Sequence, residues 1–281
     1  VIALACAACV KPVVVVIPLY TTHLAAHEEM SLQRSLQVLA AHPITLVCPE
    51  GLDLSPLDRV PGAAQCRVER FDPGYFRSID DYNRLMLSAG FYERFSAYGQ
   101  LLICQTDVFV FADRLAHWVS RDYDYIGAPW IASGRRAWSA AALRISNWVR
   151  RRKKTDEHHF KVGNGGFSLR KVSTMLRIVR EQAHDIQHLL AHPDDTRHHV
   201  EDVYFSLVAP LKMPEIRIPG HVEAVDFCID RKPHIALRIN GNRLPFACHG
   251  FDKPKVRDFW RPVIESALHQ PPGLAAQRAV Q

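Results

Sequence analysis

The chain lacks any apolar run long enough to span a bilayer. Residues 1–10 are apolar, but Lys11 interrupts them after about half of the ~20 residues that a membrane helix needs. No basic segment precedes this stretch, so a signal peptide is not expected, and residues 1–12 are read as an N-terminal extension. Zinc-finger chemistry is also short of ligands. Cys6 and Cys9 have the spacing of half a site, yet no second pair follows at matching distance. The seven cysteines are an odd number and several sit inside apolar runs, where a free thiol behaves as a small hydrophobe. That usage points to a reducing, cytoplasmic setting. Neither a dinucleotide fingerprint nor a glycine-rich, lysine-bearing loop is found: Pro18-Leu19-Tyr20-Thr21-Thr22 follows the first apolar segment and holds no glycine. This argues against a nucleotidyltransferase. Internal repeats and low-complexity tracts are missing as well.

What the chain does have is enough hydrophobic material for a sizeable core. It contains 281 residues, 48% hydrophobic and 23% charged, with a formal net charge of +6. A basic balance favours anionic partners such as nucleotide phosphates, lipid head groups or nucleic acid. The charge is concentrated in one insertion, residues 131–159, which contains five consecutive basic residues at 150–154. A nucleic-acid binder would spread it over a face interleaved with aromatics, so nucleic acid is not an expected partner. Trp138, Ala142, Ile145 and Trp148 recur at helical spacing before the basic run. A peripheral membrane helix over 138–154 and a solvated lid over the active site both fit that pattern.

Strand-like and helix-like segments alternate through the first 111 residues. A β-branched run at 13–17, a helix carrying Leu32, Leu36 and Leu39, a strand at 44–48, a third at 67–71, a helix at 82–95 and an apolar run at 101–111 predict a mostly parallel sheet with flanking helices. Further on, Phe167-Ser168-Leu169-Arg170 reads as a strand, 172–182 as a helix, and Glu201-Asp202 as the start of another. Residues 266–281 look like a disordered tail.

Three places carry candidate chemistry. Asp107 interrupts the longest apolar run, and a buried carboxylate is costly unless it is paired, hydrogen-bonded or metal-bound; a turn cap is the plain alternative. The run Gly163-Asn164-Gly165-Gly166 allows close backbone approach to a ligand, or makes a tight turn. Glu201 and Asp202 at a helix start can serve as a general base, or interact with the helix dipole.

Taken together, Tyr82-Asn83-Arg84-Leu85, an apolar strand ending in Asp107, the Gly165-Gly166-Phe167-Ser168 turn, Glu201-Asp202 and His249 resemble, in order, β-1,4-galactosyltransferase-like GT-A enzymes. A bacterial glycosyltransferase-like group catalogued as a domain of unknown function is closer still, through Ile17-Pro18-Leu19-Tyr20, Pro49-Glu50-Gly51, Tyr123-Asp124-Tyr125-Ile126-Gly127 and Val162-Gly163-Asn164-Gly165-Gly166-Phe167. The resemblance covers residues 13–260. It implies a single α/β domain of GT-A type over 13–265 and transfer of a sugar from a nucleotide-sugar donor to a hydroxyl on a glycan or lipid-linked acceptor. By the same resemblance Pro18, Tyr20 and Arg84 would line the nucleotide pocket. Asp107 and His249 would hold Mn²⁺ or Mg²⁺, with Lys253 and Arg257 assisting. Asn164, Gly165 and Gly166 would meet the donor sugar or the acceptor, and Asp202 would be the base of an inverting displacement, with Glu201 orienting the acceptor or Asp202 itself. One departure matters. Gln105 stands where the family's metal motif has its first acid, which leaves a non-catalytic nucleotide-sugar or carbohydrate-binding protein as the rival reading.

Overall fold

In the computed structural model the described residues are 11–132, 159–193 and 198–269. The insertion helix expected over 138–154 lies outside them, as do residues 1–10 and 270–281. Nine strands are described: β1 Lys11–Pro18, β2 Ile44–Pro49, β3 Arg67–Phe71, β4 Tyr98–Cys104, β5 Val108–Val110, β6 Tyr125–Gly127, β7 Phe167–Lys171, β8 Cys228–Ile229 and β9 Ala247–His249. The helices used below are α1 Ala26–Val38, α2 Ile79–Met86, α3 Ala89–Arg94, α4 Leu115–Ser120, α5 Val172–Glu181, α6 Ala183–Ala191, α7 Glu201–Val203, α8 Ala209–Lys212, α9 His221–Phe227, α10 Pro233–Ile239 and α11 Arg257–Leu268.

Six strands form one sheet in the order β3-β2-β1-β4-β7-β6. The first four run parallel, while β7 is antiparallel to both β4 and β6. The result is a mixed α/β fold on a mostly parallel sheet. Strand β1 shows why the run at 13–17 is continuous rather than alternating. Val13, Val15 and Ile17 join one core with Leu32 and Leu36 of α1. Val14 and Val16 join another, with Leu85 and Met86 of α2, Phe91 of α3 and Met175 and Ile178 of α5. Both faces are buried, as parallel sheets require, and each such side chain contributes about 1.5–3 kcal/mol of burial free energy.

A smaller sheet, β5-β9-β8, stands beside the first. Helix α1 is clamped to it by Arg34, whose Nε and Nη2 donate to the carbonyls of Val110 and Phe111 at 3.0 and 2.8 Å.

Two expectations need correction. The helix expected over 82–95 is two helices, broken at Leu87 and Ser88, because the Ser88 hydroxyl accepts from the Phe91 N–H and starts α3 anew. The link between β2 and β3, for which no element was expected beyond the turn at Pro49-Glu50-Gly51, carries two 3₁₀ turns, Ser55–Arg59 and Ala63–Gln65. The tail does not begin at 266, since α11 continues to Leu268 with Ile264 and Ala267 buried against the core.

Candidate functional site

Strand order reverses between β1 and β4, with β2 and β3 on one side and β7 and β6 on the other. A crevice at the carboxyl ends of strands flanking such a switch point is where open α/β sheets take ligands. A cleft of about 620 Å³ lies there. Pro18 ends β1 and Tyr20 lies just beyond it, and Gln105, Thr106 and Asp107 follow β4. Tyr82, Ile79, Lys253 and Arg257 also line it. One wall is aromatic: the half-exposed Tyr20 ring sits 5.6 Å from that of Tyr82 and 5.9 Å from that of Phe76.

The other wall is charged, and the small sheet builds it. Asp107 directly precedes β5, His249 ends β9 and Asp230 directly follows β8. Pairing of Val108 with His249 and of Ile229 with Cys248 brings the three together at one end of the sheet. Asp107 Oδ1 stands 3.1 Å from His249 Nε2, and Asp230 Oδ1 stands 3.3 Å from Nδ1. Lys253 Nζ lies 3.8 Å from both carboxylates. Burial would push the imidazole down, but the two carboxylates outweigh it and raise His249 to about 9. Against the upward push of burial, His249 and Lys253 hold both carboxyls below the usual range.

Could these residues hold a metal? Asp107 Oδ1 is buried without a hydrogen bond of proper geometry, as a ligand awaiting a cation would be. Its 3.1 Å separation from Nε2 is close to that of neighbouring ligands around an octahedral ion with bonds of about 2.1 Å. The pair therefore fits a divalent cation that takes its remaining ligands from a substrate or water. Among the described residues no group of three or more His, Cys, Asp and Glu is arranged to hold a metal.

Behind this wall runs the glycine turn, and its glycines serve protein contacts rather than an open cradle. A Cβ on Gly163 would overlap the Trp130 ring, one on Gly165 would overlap Glu201 Oε1, and one on Gly166 would overlap His249 Nε2 and stand 2.7 Å from Gln105 Oε1. Asn164 takes a left-handed φ of 49°, and its Oδ1 accepts from the Gly166 N–H at 3.2 Å, so that its side chain closes the turn.

On the far side of the turn lies a dry cluster. Arg170 of β7 is fully buried and pairs with Glu201 at 3.0 Å; its Nη1 donates to Tyr92 Oη at 3.1 Å, and its guanidinium stacks over Tyr125 and Phe205. Burial pushes Glu201 up to about 7, opposed by the Arg170 charge. Glu201 thus supports the turn from below and is not an arm toward an acceptor. Its neighbour Asp202 is half-buried and accepts from the Gly165 N–H through Oδ2 at 3.2 Å. After α7 the helix widens into a π segment, Tyr204–Val208. Pro210, inside the next turn, has no N–H for the Ser206 carbonyl and would clash with it, which accounts for the widening.

The structure brings Pro18, Tyr20, Asp107, Lys253 and Arg257 into one cleft, with His249 bonded to its wall. Arg84 is not among them. It pairs with Asp81 and lines a separate groove with Asp72, Tyr75 and Gln187. Asp202 lies across the glycine turn from Asp107. Asp230 and Arg170 were missed as site residues. Asp230 closes an apolar run, as Asp107 does, and that shared pattern was the available signal. Arg170 gave none, because an arginine at the end of a strand reads as a surface residue.

Fold and cleft together define a mixed α/β protein with a ligand-type crevice at the switch point of its sheet. Residues 65–249 match the family described as "Protein of unknown function (DUF5672)", and the chain belongs to that family. The match takes in Tyr82, Asp107, Asp230 and His249, while Pro18, Tyr20, Lys253 and Arg257 of the cleft lie outside it. No curated protein matches the chain. Among the described residues no helix is long and apolar enough to cross a membrane.

Proposed function

We propose that the chain is a glycosyltransferase of GT-A type that takes its sugar from a nucleotide-sugar donor. The observation that carries this reading is the two-sided cleft: an aromatic wall of Tyr20 and Tyr82 facing a wall of Asp107, Lys253 and Arg257 at the switch point. Aromatic rings suit a nucleobase by stacking, and cations suit a diphosphate. In this reading Asp107 and His249 would hold Mn²⁺ or Mg²⁺, and imidazole favours Mn²⁺. The bound ion would supply charge stabilisation to the departing diphosphate. Lys253 and Arg257 add positive charge on the same side.

The acceptor hydroxyl attacks the anomeric carbon as the bond to the diphosphate oxygen breaks, and Asp202 takes the proton that leaves that hydroxyl. Asp202 is held by the Gly165 N–H, so it is positioned rather than strongly basic. Glu201, locked to Arg170, fixes the helix start from which Asp202 projects.

The rival, a non-catalytic nucleotide-sugar or carbohydrate-binding protein, draws on Gln105 in place of an acid and on the turn that stands between Asp107 and Asp202. A thermal-shift screen of nucleotide-sugars with and without Mn²⁺ tests the proposal, because a true donor stabilises the fold by mass action. At 100 times its Kd a donor adds about 2.7 kcal/mol, and Asp107→Ala should abolish the Mn²⁺-dependent part. Absence of any nucleotide-sugar response would sink the donor assignment. A response without sugar turnover would favour the binding protein.

A further inference from the structure

We propose that Asp230 is a positioning residue: its carboxylate holds the His249 imidazole through Nδ1, so that Nε2 is delivered to Asp107 and to a cation bound beside it. The inference rests on the reading of Asp107 and His249 as a divalent-cation site.

Three adjacent strands of the small sheet each deliver one member, and His249 sits on the central one. The register of β8 with β9 pairs Ile229 with Cys248; continued one step, it sets Asp230 alongside His249. The Asp230 side chain is only 2% exposed. Its Oδ1 and His249 Nδ1 are both buried, and neither has a hydrogen bond of proper geometry. They stand 3.3 Å apart, so a small rotation of the ring satisfies both atoms at once, whereas leaving them apart forfeits the hydration of each. The second oxygen, Oδ2, is taken by Nε of the exposed Arg231 at 3.2 Å, which fixes the plane of the carboxylate. Lys253 Nζ, at 3.8 Å, is the other charged group facing Oδ1.

A ring bonded through Nδ1 presents Nε2 with its lone pair free for a cation, in the tautomer that metal-ligating histidines adopt when a carboxylate stands behind them. Without that bond the imidazole can flip or rotate toward Lys253. Gly166 closes the opposite side: a Cβ there would overlap Nε2, so the ring is confined from behind by Asp230 and from the side by the glycine turn.

Two readouts on the full chain test this, neither of them catalysis. One is Mn²⁺ affinity, from the electron paramagnetic resonance of free Mn²⁺. The other is the downfield Nδ1–H proton of His249 in metal-free protein, assigned by its loss in His249→Gln and its persistence in Asp107→Ala, which removes the partner of Nε2. In wild type we expect the proton to be present; in Asp230→Asn it should vanish and Mn²⁺ affinity should fall about 10- to 100-fold, with the melting temperature little changed. If Asp230→Asn keeps both the proton and the affinity, the proposal is overturned. A large drop in melting temperature with unchanged Mn²⁺ affinity overturns it too, leaving Asp230 a structural residue. If the proton depends on Asp230 but wild type binds no Mn²⁺, Asp230 still positions His249 and the metal reading is what fails. Asp230→Glu serves as a second variant should Asp230→Asn not fold; loss of the proton there would have the same meaning.

Discussion

Two carboxylate–cation clusters stand back to back across the Gly165-Gly166 turn, built from similar residues and put to different ends. On one side Asp107, Asp230, His249 and Lys253 meet at the cleft, with the Lys253 side chain 55% exposed. On the other, Arg170 and Glu201 are sealed among Tyr92, Tyr125 and Phe205. Water decides the difference. A charge at a wet edge can exchange partners, so the first cluster is able to receive a ligand; a charge in a dry aromatic box cannot, so the second can only hold shape.

Removing a partner from the sealed pair should therefore have the largest effect of any single change at the site. Arg170→Met leaves Glu201 buried without its cation and should cost about 3–5 kcal/mol of stability in urea unfolding. Adding Glu201→Leu should recover much of that loss, since a buried pair replaced by apolar groups of similar volume is often neutral. A single variant as stable as wild type would show that the pair is not sealed.

The next effect is a pH dependence. Burial raises Glu201 to about 7 against 4.5 for an ordinary glutamate, so the folded state holds this proton more tightly than the unfolded chain does. Stability from this group is then full below about pH 4.5 and is lost as pH rises through 7. A shift of that size corresponds to about 3 kcal/mol. His249, raised to about 9, adds a loss in the same direction between 6.5 and 9. Comparison with Glu201→Gln isolates the glutamate, since that variant keeps His249. Urea unfolding at pH 5 and 7.5 should show a steeper fall in wild type than in Glu201→Gln; equal slopes would place Glu201 in contact with water.

Most of the scaffold could be read from the chain because burial on both faces leaves a plain mark. The unbroken β-branched run of β1 and the apolar strand before Asp107 marked two strands of the sheet, but that they lie side by side at the switch point is given only by the strand order. Break points were harder. Ser88 capping a new helix and the 3₁₀ turns after β2 depend on local hydrogen bonds that hydrophobic periodicity does not register. Within the site, Asp107, His249 and Lys253 were legible, and the neighbours that give them meaning were not. Asp230 is 123 residues from Asp107 in the chain, and strand register alone joins them. The Gly165 and Gly166 positions were seen, but not the packing that requires them: the space a Cβ would take at each is filled by Glu201 and His249.

Asp202 belongs to neither cluster, and its substitution tests whether the turn connects them in function. Asp202→Asn preserves shape and should keep donor affinity, while turnover should fall about 10²-fold or more, close to 2.7 kcal/mol of transition-state stabilisation. Wild-type turnover in Asp202→Asn combined with a dead Glu201→Gln would reverse the roles. Normal transfer by both would end the inverting mechanism.

The sharpest probe of the two sides compares two adjacent glycines. Neither has a left-handed φ, so alanine meets no backbone strain at either position and any cost must come from the added methyl group. At Gly165 that methyl would run into Glu201 Oε1, with Arg170 Nη2 3.0 Å away. Both belong to the sealed pair, whose partners are themselves held by Tyr92, Tyr125 and Phe205 and have nowhere to go. At Gly166 the methyl would stand 2.4 Å from His249 Nε2 and 2.7 Å from Gln105 Oε1, and these side chains have to give way toward the cleft that they border. Overpacking costs about 1–3 kcal/mol. Gly165→Ala is expected at or above the top of that range and Gly166→Ala near the bottom. The ligand response should run the other way: Gly166→Ala displaces the imidazole and should weaken Mn²⁺ binding, while folded Gly165→Ala should bind Mn²⁺ as wild type does. Calorimetry of both variants, read for unfolding and for Mn²⁺, gives the two orders in one pair of samples. Equal costs with equal Mn²⁺ affinities would mean that the turn does not divide a sealed side from an open one.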